Sequence, residues 1–96
     1  MTNLSNILNT THEELIEAHM DGTLYDYVNE ALEVEYTMNL SGELRGVKLL
    51  VTFGGPNVYV NTRTAKIEGY AEGEHLEINL DFDVLREIED IIIGLI

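Results

Sequence analysis

The chain has 96 residues with 18 aspartates and glutamates, five lysines and arginines, and no cysteine, for a formal net charge of −13. A chain of this length forms one domain, residues 1–96, with a modest core. The charge argues against direct binding of nucleic acid or of an anionic membrane, and the lack of cysteine excludes disulfides and thiolate zinc sites. No basic segment followed by an apolar run opens the chain, so we expect a cytoplasmic protein.

Two N-terminal helices are expected. Thr10 and Thr11 are each followed three residues later by a glutamate, which is capping-box spacing. The first helix should therefore begin there and end at Gly22, whose residue type favours a left-handed C-cap. Leu4, Ile7 and Leu8 should form a short helical turn before it. Thr23 is expected to cap a second helix.

A meander of four to five strands should follow. Residues 33–40 alternate apolar and polar side chains, which predicts a strand with its even-numbered residues buried. Residues 47–53, 58–60, 66–70 and 76–82 continue the pattern, and the turns between them are short enough for antiparallel hairpins. Asp81 or Asp83 should cap a final helix. The predicted fold is α+β, with the C-terminal helix packed on one face of the sheet.

No residue pattern assigns catalysis, and we expect no catalytic residue, no metal ligand and no cofactor. His12 and His19 are seven residues apart, whereas a zinc-protease helix needs histidines at i and i+4. We therefore expect both to be solvated. The string Gly54-Gly55-Pro56-Asn57 lacks phosphate-loop spacing and is expected to be a bulged hairpin turn. A metal- or carboxylate-dependent enzyme is one of three functional hypotheses for this chain.

The acids are concentrated in the first 44 residues, which contain nine of them and no lysine or arginine. Like charges at i and i+4 destabilise a helix slightly, so their recurrence without lysine suggests selection for the charge. We interpret them as one acidic face that could enter a basic groove; the alternative is that they only keep the protein solvated. The candidate partner-binding residues are Glu13, Glu14, Glu17, Asp21, Asp26, Glu30, Glu33 and Glu35.

Two isoleucines near the C-terminus suggest self-association. Ile93 lies outside the apolar stripe of the last predicted helix, and Ile96 follows it by three residues. An isoleucine on the outer face of a terminal helix needs a second packing partner. Either the N-terminal apolar segment or a second protomer could provide it.

Residues 49–62, with the Gly54-Gly55-Pro56 turn, together with Gly69-Tyr70, resemble small proteins encoded by phages and mobile elements. Those proteins share an apolar strand, a Gly-Gly-Pro turn, a second strand and a downstream Gly-Tyr, over about a third of this chain. A tryptophan often follows their Gly-Tyr, whereas Ala71 follows here. Many of those proteins have no assigned activity. Some small acidic phage proteins block host defences, including CRISPR nucleases and restriction enzymes, by occupying DNA-binding grooves, and the resemblance implies an inhibitor of this kind.

Two further functional hypotheses follow. The first is a non-enzymatic, anti-CRISPR-type inhibitor in the host cytoplasm that binds a basic CRISPR effector or other nuclease by mimicking DNA. The second is a small structural or regulatory homodimer whose acidity is only solvating. The first predicts binding that is fast and sensitive to salt, and the second predicts association that depends on concentration.

Overall fold

The computed structural model describes residues 3–96 as an α+β domain in which three helices cover one face of a five-stranded antiparallel sheet. The strands follow one another across the sheet in chain order, so the predicted meander is confirmed. The elements are α1 (Leu4–Asp21), α2 (Leu24–Asn29), β1 (Glu33–Met38), β2 (Leu44–Thr52), β3 (Asn57–Asn61), β4 (Lys66–Ala71), β5 (Glu74–Asn79) and α3 (Phe82–Leu95).

The first helix is longer than predicted. It begins at Leu4, and the Asn3 side chain caps it by accepting a hydrogen bond from the Asn6 backbone at 3.1 Å. Thr11, predicted near the start, lies inside the helix, is buried, and donates its hydroxyl to the Ile7 carbonyl at 2.9 Å. The prediction was wrong because Leu4, Leu8 and Leu15, with Thr11 between them, form one continuous buried stripe, which outweighs a local capping signal.

The other helix ends agree with the sequence prediction more closely. Gly22 adopts the left-handed conformation at the end of α1, with φ of 75°. Thr23 occupies the N-cap position of α2, although its side chain makes no capping hydrogen bond. Asp81 caps α3, since its carboxylate accepts hydrogen bonds from the backbone of Asp83 at 2.9 Å and of Val84 at 3.1 Å. Asp81 thus satisfies backbone donors at the start of α3, and the Gly22 N–H satisfies backbone carbonyls at the end of α1.

The core lies between the helices and one face of the sheet. Leu49, Val60 and Ile67 stand directly opposite one another on β2, β3 and β4, and all three are fully buried. The helices supply further buried side chains, among them Leu15 and Ile88. Helix α1 packs over β4 and β5, and α3 packs over β2. No helix in the described residues is both long and apolar enough to cross a membrane.

Strand β1 is not half-buried as predicted. Its register places Val34 opposite Leu49 and Tyr36 opposite Val47, so both point to the helix-covered side of the sheet. Even so, Val34 remains 40% exposed and Tyr36 48% exposed. The alternation did identify the strand and its faces. The burial prediction failed because the helices lie over β2, β4 and β5 and leave this edge of the sheet uncovered.

The Gly-Gly-Pro segment is a structural turn, as predicted. A bulge interrupts the register between Leu50 and Thr52, and Gly54 and Gly55 both have positive φ. The Gly54 backbone N–H donates to the Asn57 side chain at 2.9 Å, and the Thr52 hydroxyl donates to the Pro56 carbonyl at 2.9 Å. The turn therefore satisfies its own polar groups. Past the bulge, Phe53 is exposed and does not continue the buried face of β2.

Gly69 permits the close approach of α1 to the sheet. A Cβ at this position would lie 2.8 Å from side-chain atoms of both Leu4 and Leu8. We expect Gly69→Ala to lower the free energy of unfolding by about 1–3 kcal/mol, because buried leucines must move to admit the methyl group. Urea unfolding of the purified variant measures this loss.

Gly94→Ala is the matched control for this prediction. Gly94 lies in α3, and nothing stands within 4 Å of its added Cβ. Alanine there should be neutral or should stabilise the protein by up to about 1 kcal/mol through helix propensity. Equal losses in the two variants would contradict the close-packing role of Gly69.

Candidate partner-binding surface

The negative charge of the protein belongs mainly to the helical side. The three helices and their capping residues carry eleven acids and one arginine, for a formal charge of −10, whereas residues 31–80 carry seven acids and four bases, for −3. We call these eleven acids the acidic helical layer. They are Glu13, Glu14, Glu17, Asp21, Asp26, Glu30, Asp81, Asp83, Glu87, Glu89 and Asp90.

The outer face of α1 carries the most regular part of this layer. Glu13 and Glu17 lie on the side of the helix opposite its buried leucines, and both are exposed. Asp21 follows Glu17 by another four residues and is also exposed. Residues four apart rise about 6 Å along a helix, so these carboxylates form a row directed to solvent.

Glu14 and Glu30 line a cavity between α1, α2 and β2. The cavity has a volume of about 290 Å³, and its other lining residues include Tyr27 and Thr11. Burial, together with the negative charge of Glu14, raises the pKa of Tyr27 to about 12. The cavity therefore joins the acids of the first two helices, and its surroundings extend the protonated range of the phenol into alkaline pH.

The third helix contributes acids that the sequence analysis did not include. Asp83 and Asp90 are exposed, Glu87 is hydrogen-bonded to His19 on α1, and Glu89 accepts from the Thr62 hydroxyl at 2.9 Å. These contacts hold α3 to α1 and to the sheet. The sequence signal for this contribution is the composition of α3, which has four acids and one arginine. Because helices of one layer share a face, that composition could have placed α3 in the acidic surface.

Glu33 and Glu35 do not belong to the acidic helical layer. They point away from the helices, since their neighbours Val34 and Tyr36 point toward them. Glu35 stands directly opposite Lys48, whose ammonium lies 4.4 Å from the centre of the Tyr59 ring. The structure thus divides the eight candidates: six share the helical side, and two lie on the uncovered sheet face, where both signs of charge occur.

The charge of the acidic helical layer is not neutralised by lysine or arginine. In the part of the chain that the structure describes, the ion pairs are His19 with Glu87 and His75 with Glu77, and both involve histidine. The arginine of α3, Arg86, lies over the Phe82 ring, 5.9 Å from its centre. The layer therefore presents a strong negative potential, which attracts a basic surface and repels nucleic acid.

The two N-terminal histidines are not both solvated, contrary to the prediction. His19 is partly buried and hydrogen-bonded to Glu87, and His12 is partly buried with its Nε2 atom unpaired. Among residues 3–96, no group of three or more histidines and acids is placed to hold a metal ion.

The two predicted self-association residues lie at the exposed end of α3. Ile93 and Ile96 each expose about half of their surface, at 53% and 51%. Ile96 also lines an apolar groove of about 250 Å³ between α3 and β1. This groove is distinct from the acidic outer face of α1.

Comparison of the chain with protein-family models, with curated proteins and with solved structures found no match in any of the three.

The raised pKa of Tyr27 predicts a loss of stability in alkali. The phenol ionises at about 10.0 when free and at about 12 in the folded protein. Its contribution to stability is therefore complete below pH 10 and is lost as the pH rises toward 12. As the pH rises from 10.0 to about 12, the free energy of unfolding should therefore fall less for Tyr27→Phe than for the unsubstituted protein. Urea unfolding at a series of pH values measures the difference, and Tyr25→Phe, an exposed site on the same helix, is the control. The same alkaline loss in Tyr27→Phe and in the unsubstituted protein would contradict this assignment.

The titration of Glu33 should depend on Glu35. The hydrogen bond that protonated Glu33 donates to the Glu35 carboxylate, together with the negative charge of Glu35, raises the pKa of Glu33 above 4.5. Because the pKa of Glu33 is raised in the folded protein, the interaction favours folding at acidic pH. This contribution to stability is lost as the pH rises through the raised pKa of Glu33. Glu35→Gln should lower the Glu33 pKa in an NMR titration, whereas Glu43→Gln should leave it unchanged. A Glu33 pKa that does not respond to Glu35→Gln would refute the coupling.

Proposed function

We propose that this chain is a non-enzymatic binding protein whose acidic helical layer occupies a basic, nucleic-acid-binding surface of a partner protein. The observation that carries the proposal is the segregation of charge, −10 on the helical side against −3 in residues 31–80. An acidity that served only solubility has no need to be confined to one layer, since charge of either sign spread over the surface has that effect.

The rigidity of the layer supports the same function. α1 is held to α3 by the His19–Glu87 hydrogen bond and to the sheet by the buried Leu4, Leu8 and Leu15. The acids of α1 therefore occupy defined positions before any partner arrives. Fixed charges lose less conformational entropy on binding than charges on a mobile chain, which raises affinity. Their common sign also speeds association with a basic groove.

The narrower proposal concerns the class of partner. The resemblance of residues 49–62 to phage-encoded proteins favours a host defence nuclease, such as a CRISPR effector, as the owner of the basic groove. Effectors of this class hold a heteroduplex of about 20 base pairs in a positively charged channel, which an acidic protein could enter in place of DNA. Both proteins would then meet in the host cytoplasm.

A charge-reversal experiment tests the location of the binding surface. The test variant changes Glu13, Glu17, Asp26 and Glu30 to lysine. The control variant changes Glu43, Glu72, Glu74 and Glu77, which are exposed acids of the sheet and its turns, to lysine. Both variants alter the net charge equally, so a difference between them reports position and not total charge.

We expect the unsubstituted protein, immobilised in host lysate at low salt, to capture a basic nucleic-acid-binding protein. High salt and added duplex DNA should both elute it, because exposed charge pairs are screened and DNA competes for the same groove. The control variant should retain capture, and the test variant should lose it. Equal capture by the test variant, or a partner that duplex DNA does not displace, would refute the proposal.

A further inference from the structure

The edge strand β1 leaves an apolar surface uncovered. Val34, Tyr36 and Met38 point to the helix-covered side of the sheet, where the helices cover them only in part, and they expose 40%, 48% and 40% of their surfaces. β1 pairs with β2 on one side, and its other side is the edge of the sheet. The strand thus combines open backbone hydrogen-bonding groups with exposed apolar side chains.

A groove continues this surface from β1 to the end of α3. Its volume is about 250 Å³, and none of its lining residues has a charged side chain: Val28, Asn29, Val34, Tyr36, Ile92, Leu95 and Ile96. Proteins ordinarily protect an edge strand with lysine, proline, a bulge or an inward-pointing charge. β1 contains no lysine or proline, and its glutamates point to the opposite face. The register irregularity between Thr37 and Met38 lies at the end of the strand, so the groove side from Val34 to Tyr36 lacks such protection.

We propose that two copies of this chain form a symmetric dimer by antiparallel pairing of β1 with β1, with Tyr36 on the two-fold axis. Each copy would extend the sheet of the other, so that two five-stranded sheets become one of ten strands. This dimer concerns a different surface from the acidic outer face of α1, and it does not depend on the proposed partner.

The charges on β1 select this register. Opposed residues in a sheet share a face, so the register must pair helix-facing residues with helix-facing residues. A two-fold axis at Glu35 would place this glutamate directly opposite Glu35 of the other copy, and like charges in that position are destabilising. Centring on Thr37 would extend most of the pairing beyond Met38, where β1 ends. Centring on Tyr36 pairs Val34 with Met38 and Glu35 with Thr37, and sets no like charges opposite one another.

The apolar area is sufficient for a dimer. The side chains around the groove that stay substantially exposed present roughly 600 Å² together, at the upper end of the largest patch on a typical monomer. Backbone pairing along β1 adds to this, which brings the total close to the ~800 Å² that each partner buries in a standard interface. The contributing residues, exposed by 40–63%, are Leu32, Val34, Tyr36, Met38, Leu95 and Ile96.

The dimer and the proposed partner complex should respond to salt in opposite directions. A two-fold axis perpendicular to the sheet places both acidic helical layers on the same side, and each copy has a net charge of −13. Repulsion between the copies opposes association and is screened by salt, so the dimer should strengthen as salt is added. Binding to a basic partner should weaken under the same conditions, which distinguishes the two proposals.

Cysteine cross-linking tests the register, and the natural chain contains no cysteine to interfere. Directly opposed residues of antiparallel strands have Cα atoms about 4.5–5.5 Å apart, within the range that a disulfide spans. Tyr36→Cys should therefore form a covalent dimer under mild oxidation. Thr37→Cys should not form a covalent dimer, because residue 37 of one copy lies two residues along the strand from residue 37 of the other copy. Leu76→Cys on the other edge strand, where Leu76 is 38% exposed, should also remain monomeric.

Sedimentation velocity over a concentration series measures the unlinked dimer. The unsubstituted protein should dimerise more strongly at high salt, Tyr36→Lys should raise the dimer dissociation constant at least about tenfold, and Leu76→Lys should leave it unchanged. Circular dichroism confirms that each variant is folded. A protein that stays monomeric at every concentration and salt level would overturn the proposal. Equal cross-linking through Thr37→Cys or Leu76→Cys would overturn it as well.

Discussion

The covering of a single face of the sheet by three helices is the constraint on which the rest of the structure depends. The buried row of Leu49, Val60 and Ile67 faces the helices, and Leu8, Leu15 and Ile88 pack against it. Because all of the apolar layer points one way, the opposite face of the sheet and the outer faces of the helices remain in solvent. The acidic helical layer and the apolar groove beside β1 are both consequences of this two-layer arrangement.

The two layers also separate two kinds of interaction surface. The outer side of the helices carries acids without lysine or arginine partners, and the end of α3 with β1 carries an uncharged apolar groove. Such surfaces favour different partners: charge attracts a basic protein and depends on salt, whereas apolar area favours close packing with a surface of matching shape. One small domain can therefore offer both without competition between them.

Polar contacts across the layers hold these surfaces in place. The Thr62 hydroxyl accepts a hydrogen bond from the Val47 backbone at 2.8 Å and donates to Glu89 of α3 at 2.9 Å. On the other side of the helical layer, Glu87 bonds to His19. The carboxylates of Glu87 and Glu89 thus orient α3 through hydrogen bonds to other elements. The remaining acids of the acidic helical layer are not used to orient α3 in this way. Buried hydrogen-bond networks specify one packing arrangement when all of their members are satisfied.

The sequence by itself determined the order of the elements, the meander, the Gly22 cap, the turn at Gly54 and a cap at Asp81 or Asp83, because periodicity and turn chemistry are local properties. The structure decided between the two aspartates in favour of Asp81. Only the tertiary structure decided which surfaces are covered. The pattern of β1 identified its two faces but not whether a helix covers Tyr36, and the start of α1 depended on a buried stripe that reaches back to Leu4. The acidic face shows the same division: counting charges identified the two N-terminal helices, whereas packing added α3 and placed Glu33 and Glu35 on the opposite side of the sheet. Burial and the grouping of distant residues depend on how the layers pack, and no local pattern contains that information.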